Sequence, residues 1–406
     1  MKTDRLIEYE GNDAVRAAAF LTKEASCSDA IDAALSYARE ARCGTVIIDG
    51  ENWLLDRAVC IPSHTQIIVD GVTVKLKNGV LDNIFRPDCM VMRPDDPYGF
   101  PVEIKKTFDI RVTGKNGARL EGPDENPEMY HPNQKTMQKT VGDYWGWRGF
   151  IAFFPRCSGF EFSGFTIRNT RSWAISAERS ENGYIHDIDV VSDCKNGDGI
   201  NLRVGTKRIL IENIKAKTSD DCIAINSLGT RTRDYPDGNY VFPLIPSDYL
   251  VECGEPAEDR YIHDIFIRNV VSATDHYSQG VAFMTRQRHK IFRVYISGVY
   301  DANPAGTPKR IDMVGSYYMG GYGDIDLAPD DLSGIRIEDV VSNSTDSALL
   351  FRHEVRDVRA SGVRQNCPEG AVLTALEENA DEIKVTDSSS VSGKLFSSAR
   401  EWKLRK

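Results

Sequence analysis

The chain has 406 residues and a formal net charge of −10, from 50 Lys and Arg against 60 Asp and Glu. Hydrophobic residues make up 41% and charged residues 27%, enough apolar material for a large core, which excludes a disordered chain. The acidic balance argues against a general nucleic-acid binder, although local Arg and Lys can still receive a polyanionic sugar. No run of about 18 apolar residues marks a membrane-spanning helix. The opening residues 1–10 lack the apolar stretch of a secretory signal, so a cytoplasmic location is expected. Scattered cysteines with no CxxC pair predict buried reduced thiols rather than a zinc or redox site.

Ser28 is the expected N-cap of a helix over about 28–43, carried by Ala30, Ile31, Ala34, Leu35 and Ala38 at helical spacing and ended by Gly44. Residues 45–49 then read as a strand, and 66–76 as two short strands around a turn. From there helical periodicity gives way to a repeat: a short β-rich stretch, a polar or Asn-containing turn, and a second short stretch. It occurs at residues 160–169, 183–192, 208–216, 261–269, 332–340 and 355–360. Ile167 and Val190 lie 23 positions apart, Val190 and Ala216 26. Such a period predicts a stacked all-β solenoid, a parallel β-helix, over one domain spanning 1–406. The early helix is the expected N-terminal cap and the polar tail 388–406 the expected C-terminal one. Three segments, at about 123–148, 227–260 and 301–331, break the period and are expected to be loop insertions that wall a groove.

The carboxylates fall in a pattern. Asn196-Gly197-Asp198-Gly199-Ile200 and Ser219-Asp220-Asp221-Cys222-Ile223 end consecutive turns, and 23 positions separate Asp198 from Asp221. Stacked rungs then bring Asp198, Asp220 and Asp221 to one open lateral face. Like charges this close raise at least one pKa and favour a shared proton, as acid/base work across a glycosidic bond requires. An oxygen-rich cluster would also suit calcium. Trp173, 25 positions before Asp198, is placed either as a platform for a sugar ring or in packing. Arg203 and Arg286 follow the strands of their turns, where each either grips a carboxylate or hydroxyl pair or lies in solvent. Tyr144, Trp145, Trp147 and Arg148, and the aromatic stretch 317–322, are read as loop anchors or subsite walls.

The pair Asn-Gly-Asp-Gly-Ile and Asp-Asp-Cys-Ile-Ala-Ile-Asn-Ser, at this separation in a β-helix repeat, resembles glycoside hydrolase family 28, the polygalacturonase and rhamnogalacturonan hydrolase family. Residues 45–49, 112–117 and 168–175 look like its opening strand, early turn and the turn before the catalytic ones. The resemblance implies a right-handed parallel β-helix that hydrolyses α-linked glycosides with inversion, without cofactor or metal. Asp220 would be the general acid, with Asp198 and Asp221 positioning and deprotonating the water. Two departures stand out. Gln279 occupies the place of the family's Gly-His-Gly histidine, with His276 three residues earlier. Arg310-Ile311-Asp312 stands where an Arg-Ile-Lys grips the galacturonate carboxylate, and Asp312 there would repel a uronate. The expected substrate is a pectin-derived or related oligosaccharide or polysaccharide, with no nucleic-acid or membrane partner. A β-helix lyase or epimerase acting on uronic-acid sugars, and a non-catalytic carbohydrate-binding solenoid, are the alternatives.

Overall fold

The computed structural model describes residues 14–92, 101–125, 146–194, 196–227, 257–273, 278–285, 289–316 and 327–399. Its helix spans Cys27–Ala41. Ser26, not Ser28, is the N-cap: its Oγ accepts from the Asp29 N–H at 3.2 Å while Asp29 accepts from the Ser26 N–H at 3.0 Å. That reciprocal box satisfies two of the helix's orphan donors. Ser28 lies buried in the first turn and accepts instead from the Asp56 N–H at 3.1 Å. Arg42, in the left-handed region, ends the helix before Gly44 is reached. The apolar face of Ala30, Ile31, Ala34, Leu35 and Ala38 is buried against the first strands of the solenoid, as expected of a cap.

Among the described residues every strand pairing is parallel except one short hairpin, Met90–Met92 with Pro101–Ile104. The strands form a wide sheet of eighteen and a narrow sheet of eleven, and a rung takes strands from both. This is the right-handed parallel β-helix expected. On the wide sheet, long strands such as Glu181–Ser192 and Lys207–Thr218 fold around a corner at Asp187 and Asn213, both in the left-handed region that Asn and Asp tolerate best. The corner side chains stack: Asn213 Nδ2 donates to Asp187 Oδ1 at 2.9 Å, and Asn269 Nδ2 to Asn213 Oδ1 at 2.8 Å.

Register follows the sequence period. Ile167 pairs with Val190 and Val190 with Ala216. A buried column of Ile185, Ile211, Ile267, Ile296 and Ile337 runs through successive rungs. Each such side chain contributes about 1.5–3 kcal/mol by leaving water, and none can do so without the rung above it. Cys157 and Cys222 lie in the same core, and the eight described cysteines are free thiols.

Two expectations need correcting. The segment 301–331 is not all insertion: Arg310–Ser316 is a strand that pairs with Val281–Met284 on one side and Thr345–Phe351 on the other. The described part of the tail does not close the end of the coil. Ser389–Ser390 and Phe396–Ser398 extend both sheets by parallel pairing. Among the described residues no helix is long and apolar enough to cross a membrane.

Candidate active site

The site is built where turns enter the narrow sheet. Ile200, Ile223, Val281, Val314 and Leu349 are paired in register across five strands. Two residues before them stand Asp198, Asp221, Gln279, Asp312 and Ser347, one column along the solenoid. Over the two preceding rungs the column holds Trp173 and then Phe150, since Ile175 pairs with Ile200 and Ala152 with Ile175. Adjacent rungs lie about 4.8 Å apart, which brings the Asp198 and Asp221 backbones to that separation. At the bend that enters the strand, Cys222 and Ile223 both lie in the core, where burial pushes the Cys222 thiol up to about 12, and Asp221 is turned to Gln279 on the next rung. Gly199 permits the close stacking: a Cβ there would stand 2.5 Å from the Cys222 carbonyl oxygen, the acceptor for the Ile200 N–H.

The stacking of the three carboxylates is as expected, but their openness is not. Asp198 and Asp221 are only 4% and 1% exposed, and Asp220 alone of the three is partly exposed. The buried pair is turned to neighbours rather than to solvent. Asp198 Oδ2 accepts from Asn201 Nδ2 at 2.5 Å, and Asp221 Oδ1 accepts from the Gln279 backbone N–H at 2.9 Å. Asp220 Oδ1 accepts from the Asp221 N–H at 3.0 Å. Burial above all, then the charges of Asp220 and Asp312, hold the Asp221 carboxyl well above the usual range, against the Gln279 N–H and the Arg310 guanidinium. Asp312 is fully buried and titrates at about 7; burial raises it, while Gln279, Arg352 and Arg310 pull the other way. The column can therefore hold protons at neutral pH beside a carboxylate that reaches solvent.

The residues expected to bind substrate divide. Gln279 is buried between two acids, its Nε2 donating to Asp312 Oδ2 at 2.5 Å. Trp173 is no open platform. Its ring stacks on Phe150 at 4.9 Å, one rung before it, and lies under the Arg203 guanidinium at 4.8 Å. Arg203 is thus buried on an indole rather than extended into solvent. Arg310 is buried too, and turns toward the wide sheet, where Nη2 donates to Ser272 Oγ at 2.8 Å. Neither Arg310 nor Asp312 offers the exposed group that would grip or repel a uronate. Trp147 packs with Phe150, Phe153 and Trp173, flanked at 5.5 Å by the guanidinium groups of Arg86 and Arg148, which makes it a loop anchor. His276, Arg286, Tyr144, Trp145 and the stretch 317–322 lie outside the described residues.

One member of the site, Asn201, was missed in the sequence, and Asp312 was read as a departure in substrate binding rather than as part of the acid column. Asn201 donates to Asp198 from three positions on, a spacing that strand alternation puts on opposite faces, so no sequence signal marked it. Asp312 precedes Val314 by the offset that separates Asp221 from Ile223, and that offset was the available signal.

Comparison with known proteins places these features. The family model described as Glycosyl hydrolases family 28 matches residues 109–232, which include all three site aspartates and stop before Gln279 and Asp312. No curated protein matches the chain. The family 28 exopolygalacturonase of Yersinia enterocolitica superposes with a TM-score of 0.50 at 11% identity, over 95% of this chain and 77% of that one. PfbA, a surface adhesin of Streptococcus pneumoniae, gives 0.59 at 14% identity, over 96% and 93%. The tailspike protein of E. coli bacteriophage HK620, solved with a pentasaccharide, gives 0.58 at 10% identity, over 95% and 63%. At these identities the structural likeness speaks for the fold alone. The chain is a divergent protein similar to glycoside hydrolase family 28, by sequence over residues 109–232 and by fold along the solenoid.

Proposed function

We propose that the chain is a glycoside hydrolase that cleaves α-linked, pectin-related oligosaccharides with inversion. The observation that carries this reading is the in-register stacking of Asp198 over Asp221 with the partly exposed Asp220 beside them. Asp220, the carboxyl that reaches solvent, gives its proton to the leaving glycosidic oxygen. Asp198 and Asp221 position the attacking water and take its proton, as the resemblance implies, while burial favours the neutral form of Asp221. The Oδ2 of Asp221 has no hydrogen-bond partner among the described residues and can hold that water. Roles and stereochemistry follow the family resemblance; the proton affinities follow from burial. Gripping of a uronate by the 310–312 motif is not part of the proposal, because Arg310 and Asp312 are buried.

The test uses a panel of α-linked galacturonosyl, rhamnosyl and galactosyl oligosaccharides, with NMR following the anomer released first. A β-anomer at early times is expected for at least one member. Asp220→Asn, which can still accept the Asp221 N–H, should lower kcat about 10²–10⁴-fold while ligand binding persists. Turnover unchanged in that variant refutes the assignment. The near-complete burial of Asp221 favours one second reading, a carbohydrate-binding solenoid without catalysis, for which no member of the panel would be cleaved.

A further inference from the structure

We infer that Gln279 and Asp312 form a positioning relay that sets the protonation of Asp221 from two rungs away; the inference rests on reading Asp221 as part of the hydrolytic site. The geometry is a chain of contacts between buried groups in one column. Asp312 Oδ2 accepts from Gln279 Nε2 at 2.5 Å, and the Gln279 backbone N–H donates to Asp221 Oδ1 at 2.9 Å. Asp312 thus holds the side chain whose backbone holds the acid. Each member keeps one oxygen without a hydrogen-bond partner among the described residues: Asp221 Oδ2, Gln279 Oε1 and Asp312 Oδ1. A fully ionised column would leave two buried carboxylates with oxygens unsatisfied among the described residues, which favours a proton on the column. Room for Asp312 is made by Gly315, where a Cβ would lie 2.3 Å from Asp312 Oδ2.

Asp312 faces Arg310 from its own strand, and Arg352 and Asp346 from the rung after it. Asp221 faces its neighbour Asp220, Asp198 stacked on it from the rung before and, from two rungs on, Arg310 and Asp312. When Asp312 is ionised its charge helps keep the proton on Asp221. When Asp312 takes a proton, that pressure is lifted. Two rungs separate the acids, roughly 10 Å, and at an effective dielectric of about 20 the interaction is worth roughly one pH unit. Neither Gln279 nor Asp312 touches substrate in this scheme; both act through Asp221.

The experiment is a carboxyl titration of the full chain by 13C NMR, without substrate, alongside the pH profile of kcat/KM. Asp312→Asn keeps the shape of the link and removes its charge, so Asp221 should titrate roughly one pH unit lower and the basic limb of the profile should move with it. Gln279→Ala retains the backbone N–H to Asp221 but strips Asp312 of its donor. It should raise the Asp312 titration and lower that of Asp221, and it serves if Asp312→Asn does not fold. An Asp221 titration unmoved in a folded variant, or a loss of kcat with the profile in place, overturns the relay. If no substrate is cleaved the hydrolase reading fails, yet the titration still decides the coupling.

Discussion

Asp312→Asn should also change stability, with a sign that depends on pH. Asp312 is wholly buried and its carboxyl rises from 3.8 to about 7, chiefly through burial. A carboxyl that titrates higher in the folded chain binds more protons there than in the unfolded one. Folding therefore suffers no penalty from it below about 3.8, and loses stability as pH climbs from there to about 7. At about 1.4 kcal/mol per pH unit, a shift of about three units withholds ~4 kcal/mol at pH 8 as an upper bound. Asn removes that penalty and can still accept from Gln279 Nε2, but it buries an amide whose own donors need partners, a cost of about 1–2 kcal/mol. The variant should then be more stable than the parent by about 2–3 kcal/mol at pH 8 and slightly less stable at pH 4. Urea unfolding followed by tryptophan fluorescence at a series of pH values reads this as a difference that changes sign. A difference that stays constant from pH 4 to 8 would refute a buried, titrating Asp312.

Other perturbations probe separate parts of the molecule. Gly199→Ala puts a Cβ 2.5 Å from the Cys222 oxygen, a backbone atom that cannot swing away, so the two rungs must part. A loss of about 1–3 kcal/mol is expected, read as a lower urea midpoint, and a parent-like midpoint would show that the rungs are looser than described. His186 loses proton affinity through burial but regains more from its contacts with Glu161 and Asp187, so it titrates above its ordinary value. Its contribution to stability is present below about 6.5 and disappears as pH rises through that raised value. Glu161→Gln should lower the His186 titration in a 1H–13C NMR experiment and weaken the fold mainly on the acid side; no movement of His186 would count against the pairing. Ser26→Ala should remove about 1 kcal/mol by opening the capping box, detected as a lower melting temperature.

Much of this architecture was legible because it is periodic. Spacings of 23 and 26 residues were enough to pair Ile167 with Val190 and Val190 with Ala216, and the same arithmetic stacked Asp198 on Asp221. Legibility stopped where a contact crosses between sheets or depends on what lies over a side chain. Arg310 reaches Ser272, 38 positions earlier and on the other sheet, which no repeat count foretells. The strand Arg310–Ser316 was hidden because Gly315 and Ser316 blur its alternation and the spacing from Val281 to Val314 departs from the shorter period. The position of Gln279 was readable, but not that its amide would face a second buried acid. For Trp173 the sequence left packing and platform equally open, and Phe150 one rung away decides for packing.

The ladder of the narrow sheet has a consequence for how such a protein can change. Ile200 meets Ile223 after 23 residues, whereas Ile223 meets Val281 after 58, and both pairs keep the same alignment. The scaffold is blind to the length of the excursion between two of its steps. Material can be spliced in, lengthened or rewritten at that edge without moving the aspartates by a single backbone hydrogen bond. Under the proposed reading, ligand preference and the chemistry of the aspartates can therefore change separately, with the acids held in place while the excursions vary.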